Sequence, residues 1–190
     1  MMTTTHALVG ALVGATTAAY APDVTQTAVV VGFVGGALPD ADLVGTHRRS
    51  THYPVCGAAA AAVAVGLAGL LGTGAAVLIA VFAVAAALHP PMDALAGGVE
   101  HRPWEATSDR GVYNHAGGYW VRPRRWIRYS GAPEDAALAA GVAVPVLVVT
   151  ADPLRDWLFA VVLASGLFAV VRRRLADVTE RLRGEKAAET

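Results

Sequence analysis

Two aspartates stand two residues apart in "LPDAD" (Asp40, Asp42), two histidines bracket "HRRSTH" (His47, His52), and a histidine and an aspartate stand four apart in "HPPMD" (His89, Asp93). With His6 in "TTTHALVG" they make seven side chains able to ligate a cation, set into a chain that is otherwise mostly Ala, Val, Gly and Leu. Carboxylates and imidazoles are the usual ligands of zinc and manganese in hydrolytic sites. At a spacing of two, a turning or extended backbone lets Asp40 and Asp42 approach one centre, and Pro39 disfavours a helix running straight through them. At a spacing of four, His89 and Asp93 share one helix face. Pro90 and Pro91 lie between them, so the helix either kinks or stops and restarts there. Taken singly, each residue has an ordinary explanation: an interfacial histidine, a turn aspartate, a basic loop. As a set they point to metal binding.

Such residues need elements to hold them. Of the 190 residues, 55% are hydrophobic and only 16% charged, against roughly 25% charged in a typical soluble domain. Apolar segments fall at 6–20, 24–39, 54–72, 74–97, 134–150 and 153–172. The expectation is an all-α fold, a polytopic membrane bundle of about six apolar helices. Residues 1–172 form its single embedded domain, with 98–133 inserted as an aromatic and basic loop, and 173–190 form a charged helical tail. The first two segments are short for a span, which needs roughly 17–25 residues; they are thin or tilted spans, or an embedded hairpin. The apolar stretch from Ala7 lacks a basic flank and reads as a retained helix rather than a cleaved signal. Gly10/Gly14 and Gly32/Gly36 have the four-residue spacing that lets helices approach closely, although a chain this rich in Gly and Ala produces that spacing by composition alone.

Charge sets the orientation. Every Lys and Arg except Arg155 falls at 40–53, at 98–133 or from 172 onward. If all six segments cross, those regions share a face with the N-terminus, and the positive-inside rule makes that face cytoplasmic. Both termini and all seven candidate ligands then lie on the inner side of a multi-pass cell-membrane protein. Segment 98–133 carries Trp104, Trp120 and Trp126 beside Arg122, Arg124, Arg125 and Arg128, as a headgroup-level layer does. "NHAGG" at 114–118 reads as a hairpin turn. Basic and acidic residues balance at 15 each, which gives no reason to expect a nucleic-acid partner, and the single cysteine, Cys56, excludes an internal disulfide or a cysteine zinc cage.

The strings "TTTHALVG", "GGALPDAD", "HRRSTHYP" and "ALHPPMDALAGGV" resemble the YdjM-type family of membrane-bound, predicted metal-dependent hydrolases. Its pattern is an early Thr-His or Gly-His, then Leu-Pro-Asp-x-Asp, His-Arg-x-x-Thr-His and His-x-x-x-Asp, and all four occur in order here within residues 5–98. That family is in turn distantly similar to zinc-dependent phospholipase C and P1-type nucleases. The resemblance implies His6, Asp40, His52, His89 and Asp93 as ligands of one or two divalent ions, Zn or Mn, with Asp93 bridging them. The distant relatives complete a third site with a His-x-x-x-Glu pair. His101 and Glu105 have that spacing, but Pro103 lies between them, so no third ion is expected.

The implied activity is hydrolysis of a phospholipid or other phosphoester by metal-activated water. Asp42 is then a general base or the partner that orients a ligand. His47 is a ligand, a proton donor or an orienting group. Arg48, and less directly Arg49, binds a phosphate oxygen. The expected partners are membrane lipid and that substrate; oligomeric state is not legible. Two other classes compete. A transporter would place ionisable groups near the midplane and show an internal repeat, and no repeat is visible. A non-catalytic protein would use its metal only to pin short helices together.

Overall fold

A computed structural model describes the backbone of residues 1–188 and the side chains of residues 1–42 and 45–181. Six α-helices form: α1 (Thr3–Ala15), α2 (Thr25–Ala37), α3 (Pro54–Leu71), α4 (Gly74–Leu95), α5 (Pro133–Val149) and α6 (Leu154–Ala188). Among the described residues four helical segments are long and apolar enough to cross a membrane: Pro22–Asp42, which takes in α2 and its flanking turns, Pro54–Leu71, Gly74–Leu95 and Leu154–Arg181. Of the about six apolar helices expected, α1 and α5 are not among these four. With 13 residues, α1 reaches only about 20 Å at 1.5 Å per residue, against a hydrocarbon layer of about 30 Å. It is instead an inner helix, with Leu8 and Ala11 sealed in a core that also takes Val29 from α2, Ala139 and Val146 from α5, and Leu158 from α6.

The glycine pairs are used. A Cβ at Gly10 would fall on the carbonyl oxygen of Gly32, and one at Gly32 on that of Gly10; Gly14 and Gly36 meet Ala28 and His6 in the same way. Here α1 and α2 touch backbone to backbone, which only residues without a side chain allow. On the other side of α2 lies α4, where Gly35 sits against the Phe82 carbonyl. By contrast α3 packs on α4 and buries only Ala61, leaving most of its apolar surface to face outward.

Despite Pro90 and Pro91, α4 runs unbroken from Gly74 to Leu95. The chain then folds back over its end: Arg124, Trp126 and Arg125 donate their amide N–H groups to the carbonyls of Ala94, Leu95 and Ala96. Within this segment β1 (Val112–Asn114) and β2 (Tyr119–Val121) pair antiparallel, with Tyr113 opposite Trp120. The Asn114 side chain accepts from the amides of Ala116 and Gly117, and Gly118 takes φ +70° to close the turn. The expected all-α fold therefore needs this small hairpin added. Tyr113 N–H donates to the Arg48 carbonyl at 3.0 Å, which ties the hairpin to the connection between α2 and α3.

Candidate metal centre

Because α4 is continuous, His89 and Asp93 lie one above the other on its inner face, both fully buried. After α2 the chain tightens into a 3₁₀ turn, Leu38–Val44, with Pro39 at its start; this turn delivers Asp40. His52 comes from the connection just before α3, held there because the Thr51 hydroxyl donates to the Pro39 carbonyl. His89 Nε2 lies 3.3 Å from Asp40 Oδ1 and 3.5 Å from Asp93 Oδ2, and His52 Nε2 lies 3.3 Å from Asp93 Oδ2. One ligand atom from each of Asp40, His52, His89 and Asp93 falls within 4.8 Å of the other three. Four ligands about 2 Å from one ion sit roughly 3.3 Å apart in a tetrahedron, so the set has the dimensions of a metal site.

The donor chemistry fits a cation as well. His52 Nε2, His89 Nε2 and Asp93 Oδ2 are buried and have no hydrogen-bond partner. Orphaned buried polar atoms are costly, and these three face the same point. The far nitrogen of His89 is fixed: Nδ1–H donates to the Gly36 carbonyl at 2.6 Å, which puts the free lone pair on Nε2. His52 Nδ1 lies 3.1 Å from Asp42 Oδ2, beside the carboxylate but without a hydrogen bond to it; a carboxylate next to a histidine is the usual neighbour of a metal-ligating ring. The other oxygen of Asp42 accepts from His47 Nδ1 at 2.8 Å. His47 is 43% exposed whereas Asp42 is closed off, so this pair links the buried centre to water. Thr3 Oγ1 donates to Asp40 Oδ2 at 2.6 Å.

Asp93 divides the site. Its Oδ2 faces the four-residue group, while Oδ1 is 3.1 Å from His6 Nε2, 2.6 Å from the Met1 amino group and 3.1 Å from Arg48 Nη2. His6 is therefore beside the group on the second oxygen of the same carboxylate rather than within it, and its ring stacks on His89 at 3.6 Å. Arg48 is buried, adopts φ +60°, and gives Nη1–H to the Gly97 carbonyl at 2.5 Å, leaving its Nε without a partner.

Two residues discussed from the sequence lie elsewhere. Arg49 rests over the Tyr113 ring at 4.4 Å. Glu105 pairs with Arg102, which also binds Asp177 and Glu180; the hydrogen bond to Glu105, with those acids beside it, holds the Arg102 guanidinium above its ordinary pKa. One contributor went unforeseen. Asp135, in the first turn of α5, is completely buried and accepts from Met2 N–H (2.8 Å), Thr5 Oγ1 (2.7 Å) and Gly131 N–H (3.0 Å). It anchors the start of α1 and hence His6. In sequence it is one of two acids opening a helix, an everyday pattern, so nothing singled it out.

No curated protein and no solved structure matches the chain, so neither comparison supports a likeness to phospholipase C or P1-type nucleases. The family model described as YdjM inner membrane protein matches residues 1–176, a stretch that includes every residue of the centre, and the chain belongs to that family.

Proposed function

We propose that this protein is a membrane-bound, metal-dependent hydrolase of phosphoesters. The observation that carries the reading is the convergence of four donors from three separate parts of the chain, three of them with buried, unpartnered atoms aimed at one point. Asp40, His52, His89 and Asp93 would hold one divalent ion, Zn or Mn. His6, on the second oxygen of Asp93, is positioned to serve a second. An ion there supplies Lewis acidity, which lets water ionise near neutral pH and offsets charge on a phosphoryl group.

The remaining work belongs to the chain. The Asp42 carboxylate beside His52 Nδ1 favours the tautomer that presents Nε2. His47, in contact with both Asp42 and solvent, is the group able to return a proton to a leaving oxygen. Arg48 places a guanidinium beside Asp93 with one N–H still free, a donor suited to a phosphoryl oxygen. The centre sits where α2 and α4 end, under a Trp- and Arg-rich segment of membrane-boundary composition, which favours a phospholipid or another amphiphilic phosphoester. By the positive-inside rule the basic connections favour a multi-pass protein with this end and both termini on the cytoplasmic side of the cell membrane.

The test is direct. Protein purified without chelator should carry zinc or manganese by elemental analysis and should hydrolyse phosphoesters in a chelator-sensitive way. One feature favours a second reading, a metal that only pins helices: His6, His52, His89 and Asp93 are each no more than 1% exposed. Bound metal and raised thermal stability, without turnover of soluble or lipid phosphoesters, would select it.

A further inference from the structure

Three non-glycine residues adopt left-handed backbone among the described residues: Arg48, Ala106 and Arg125. That conformation is unfavourable for an L-residue, and such residues cluster where a site needs them. Arg48 belongs to the metal centre. The other two line a single separate cavity of about 180 Å³ between segment 98–133 and α6. Trp104 and Tyr129 form its aromatic walls, their rings 5.5 Å apart and edge to face. Arg125, Arg128 and Arg173 stand around it, and Arg172 lies 5.5 Å over the Trp104 ring.

Three of these guanidinium groups have no carboxylate partner. Arg128 is bound by both oxygens of Glu134. Arg125 donates Nη2–H to the Ser108 carbonyl at 2.7 Å, and its buried Nε has no partner. Arg172 reaches only the His101 carbonyl, at 3.3 Å. Arg173 rests against the faces of Trp104 and Tyr129, at 5.4 and 5.3 Å. None of these last three forms an ion pair among the described residues: Glu105, Asp177 and Glu180 are bound by Arg102, and the buried Glu100 carboxylate, near the Ser108 carbonyl, makes no hydrogen bond to any of them.

The pocket also lies at a membrane boundary. Arg172–Arg174 follow the apolar part of the Leu154–Arg181 span. Trp126, in the same segment as Trp104, is 74% exposed, as befits a headgroup-level aromatic. Val170 and Leu163, seven residues apart and so on one face of α6, are exposed and lie on the side neighbouring Arg173, roughly 60–80° around the helix from it, within the apolar part of the candidate span. Guanidinium groups recognise phosphate oxygens whatever carries them; this apolar track beside them fits an acyl chain and selects a lipid over a free ion. We infer that the Trp104–Tyr129–Arg173 pocket binds the phosphate-bearing headgroup of an anionic membrane lipid, at a site separate from the metal centre.

The experiment is native mass spectrometry of the full chain in detergent, titrated with short-chain phosphatidylglycerol, short-chain phosphatidylcholine or inorganic phosphate. Phosphatidylglycerol should be retained over phosphatidylcholine, and stripping the protein with chelator should leave that preference intact. Arg173→Gln should weaken phosphatidylglycerol binding about fivefold, the contribution of one basic residue at an anionic surface, and Arg172→Gln similarly. Arg122→Gln, an exposed arginine paired with Asp109 outside the pocket, should change nothing. Equal retention of the two lipids would overturn the proposal, as would loss of binding on chelation, or an effect of Arg122→Gln equal to that of Arg173→Gln. Displacement of the lipid by equimolar inorganic phosphate would show an anion site without lipid selectivity and overturn it too.

Discussion

His6 and His89, from α1 and α4, stack face on face with ring centroids 3.6 Å apart and planes 17° from parallel. Gly36 of α2 makes this possible on both sides. Its carbonyl accepts the His89 Nδ1–H, and its bare Cα leaves room for the His6 carbonyl, which a Cβ would strike. Packing α1 onto α2 and assembling the Asp40–His52–His89–Asp93 group are therefore coupled, and a change at the helix crossing must be felt at those side chains.

Gly10→Ala tests that coupling. The new Cβ would land on the Gly32 carbonyl, a backbone atom that cannot rotate away. The crossing must open, at roughly 1–3 kcal/mol as for other overpacked sites. Thermal unfolding in detergent should show a lower Tm and weaker metal retention together. Gly66→Ala on α3, where a Cβ meets nothing within 4 Å, should leave stability unchanged or raise it by up to about 1 kcal/mol. Equal behaviour of the two variants would disprove the tight crossing.

His89→Ala removes a ligand atom, the ring that stacks on His6 and the donor to Gly36. Elemental analysis should find the metal content lost. Asp40→Ala should also release metal with less damage to the fold, because Asp40 sits in the 3₁₀ turn and keeps 13% exposure. Wild-type metal content in both variants would mean that the four-residue group is not the binding site.

What the sequence disclosed and what it hid follow from the range of the interactions. The Asp40–His52 connection and the His89/Asp93 pair are legible because ligand chemistry restricts residue type and helix geometry restricts spacing. A mostly helical chain is legible because its apolar composition is so one-sided. Which helices are long enough to span is not, since α1 and α5 are apolar like the Pro22–Asp42 segment and fall short in length, with 13 and 17 residues. The same holds for the glycine crossing: Gly10 and Gly32 look like background in a Gly-rich chain until their backbones are seen in contact. Asp135 was hidden for a third reason, since a carboxylate that accepts three local and distant donors leaves no spacing signature.

Asp135→Ala should act at a distance. It leaves Met2 N–H, Thr5 Oγ1 and Gly131 N–H without their acceptor in a sealed region, and each unsatisfied buried donor costs about 1–3 kcal/mol. Hydrogen exchange should rise first over residues 2–6, and Tm should fall. Asp135→Asn, which keeps one carbonyl acceptor, should recover part of the loss. Unchanged exchange at the start of α1 in Asp135→Ala would rule out the anchoring role.

Asp42 and His47 can be separated experimentally because they touch different things. Asp42 lies against the His52 ring, with Oδ2 3.1 Å from Nδ1, whereas His47 bonds the other oxygen of Asp42 and meets His52 only edge to face, with ring centroids 6.0 Å apart. Asp42→Asn keeps the shape but removes the carboxylate charge beside the His52 ring. Metal affinity should fall about 10–100-fold, the usual effect of removing such a partner. His47→Gln leaves that contact in place and should retain metal, yet if His47 returns the proton to the leaving oxygen, turnover of a phosphoester should drop about 10²–10⁴-fold. The loss should be smallest for substrates whose leaving group needs no proton, such as nitrophenyl esters. A His47→Gln protein that loses metal as readily as Asp42→Asn would place His47 in the ligand-orienting network instead, and a variant with full activity on every ester would remove it from the chemistry.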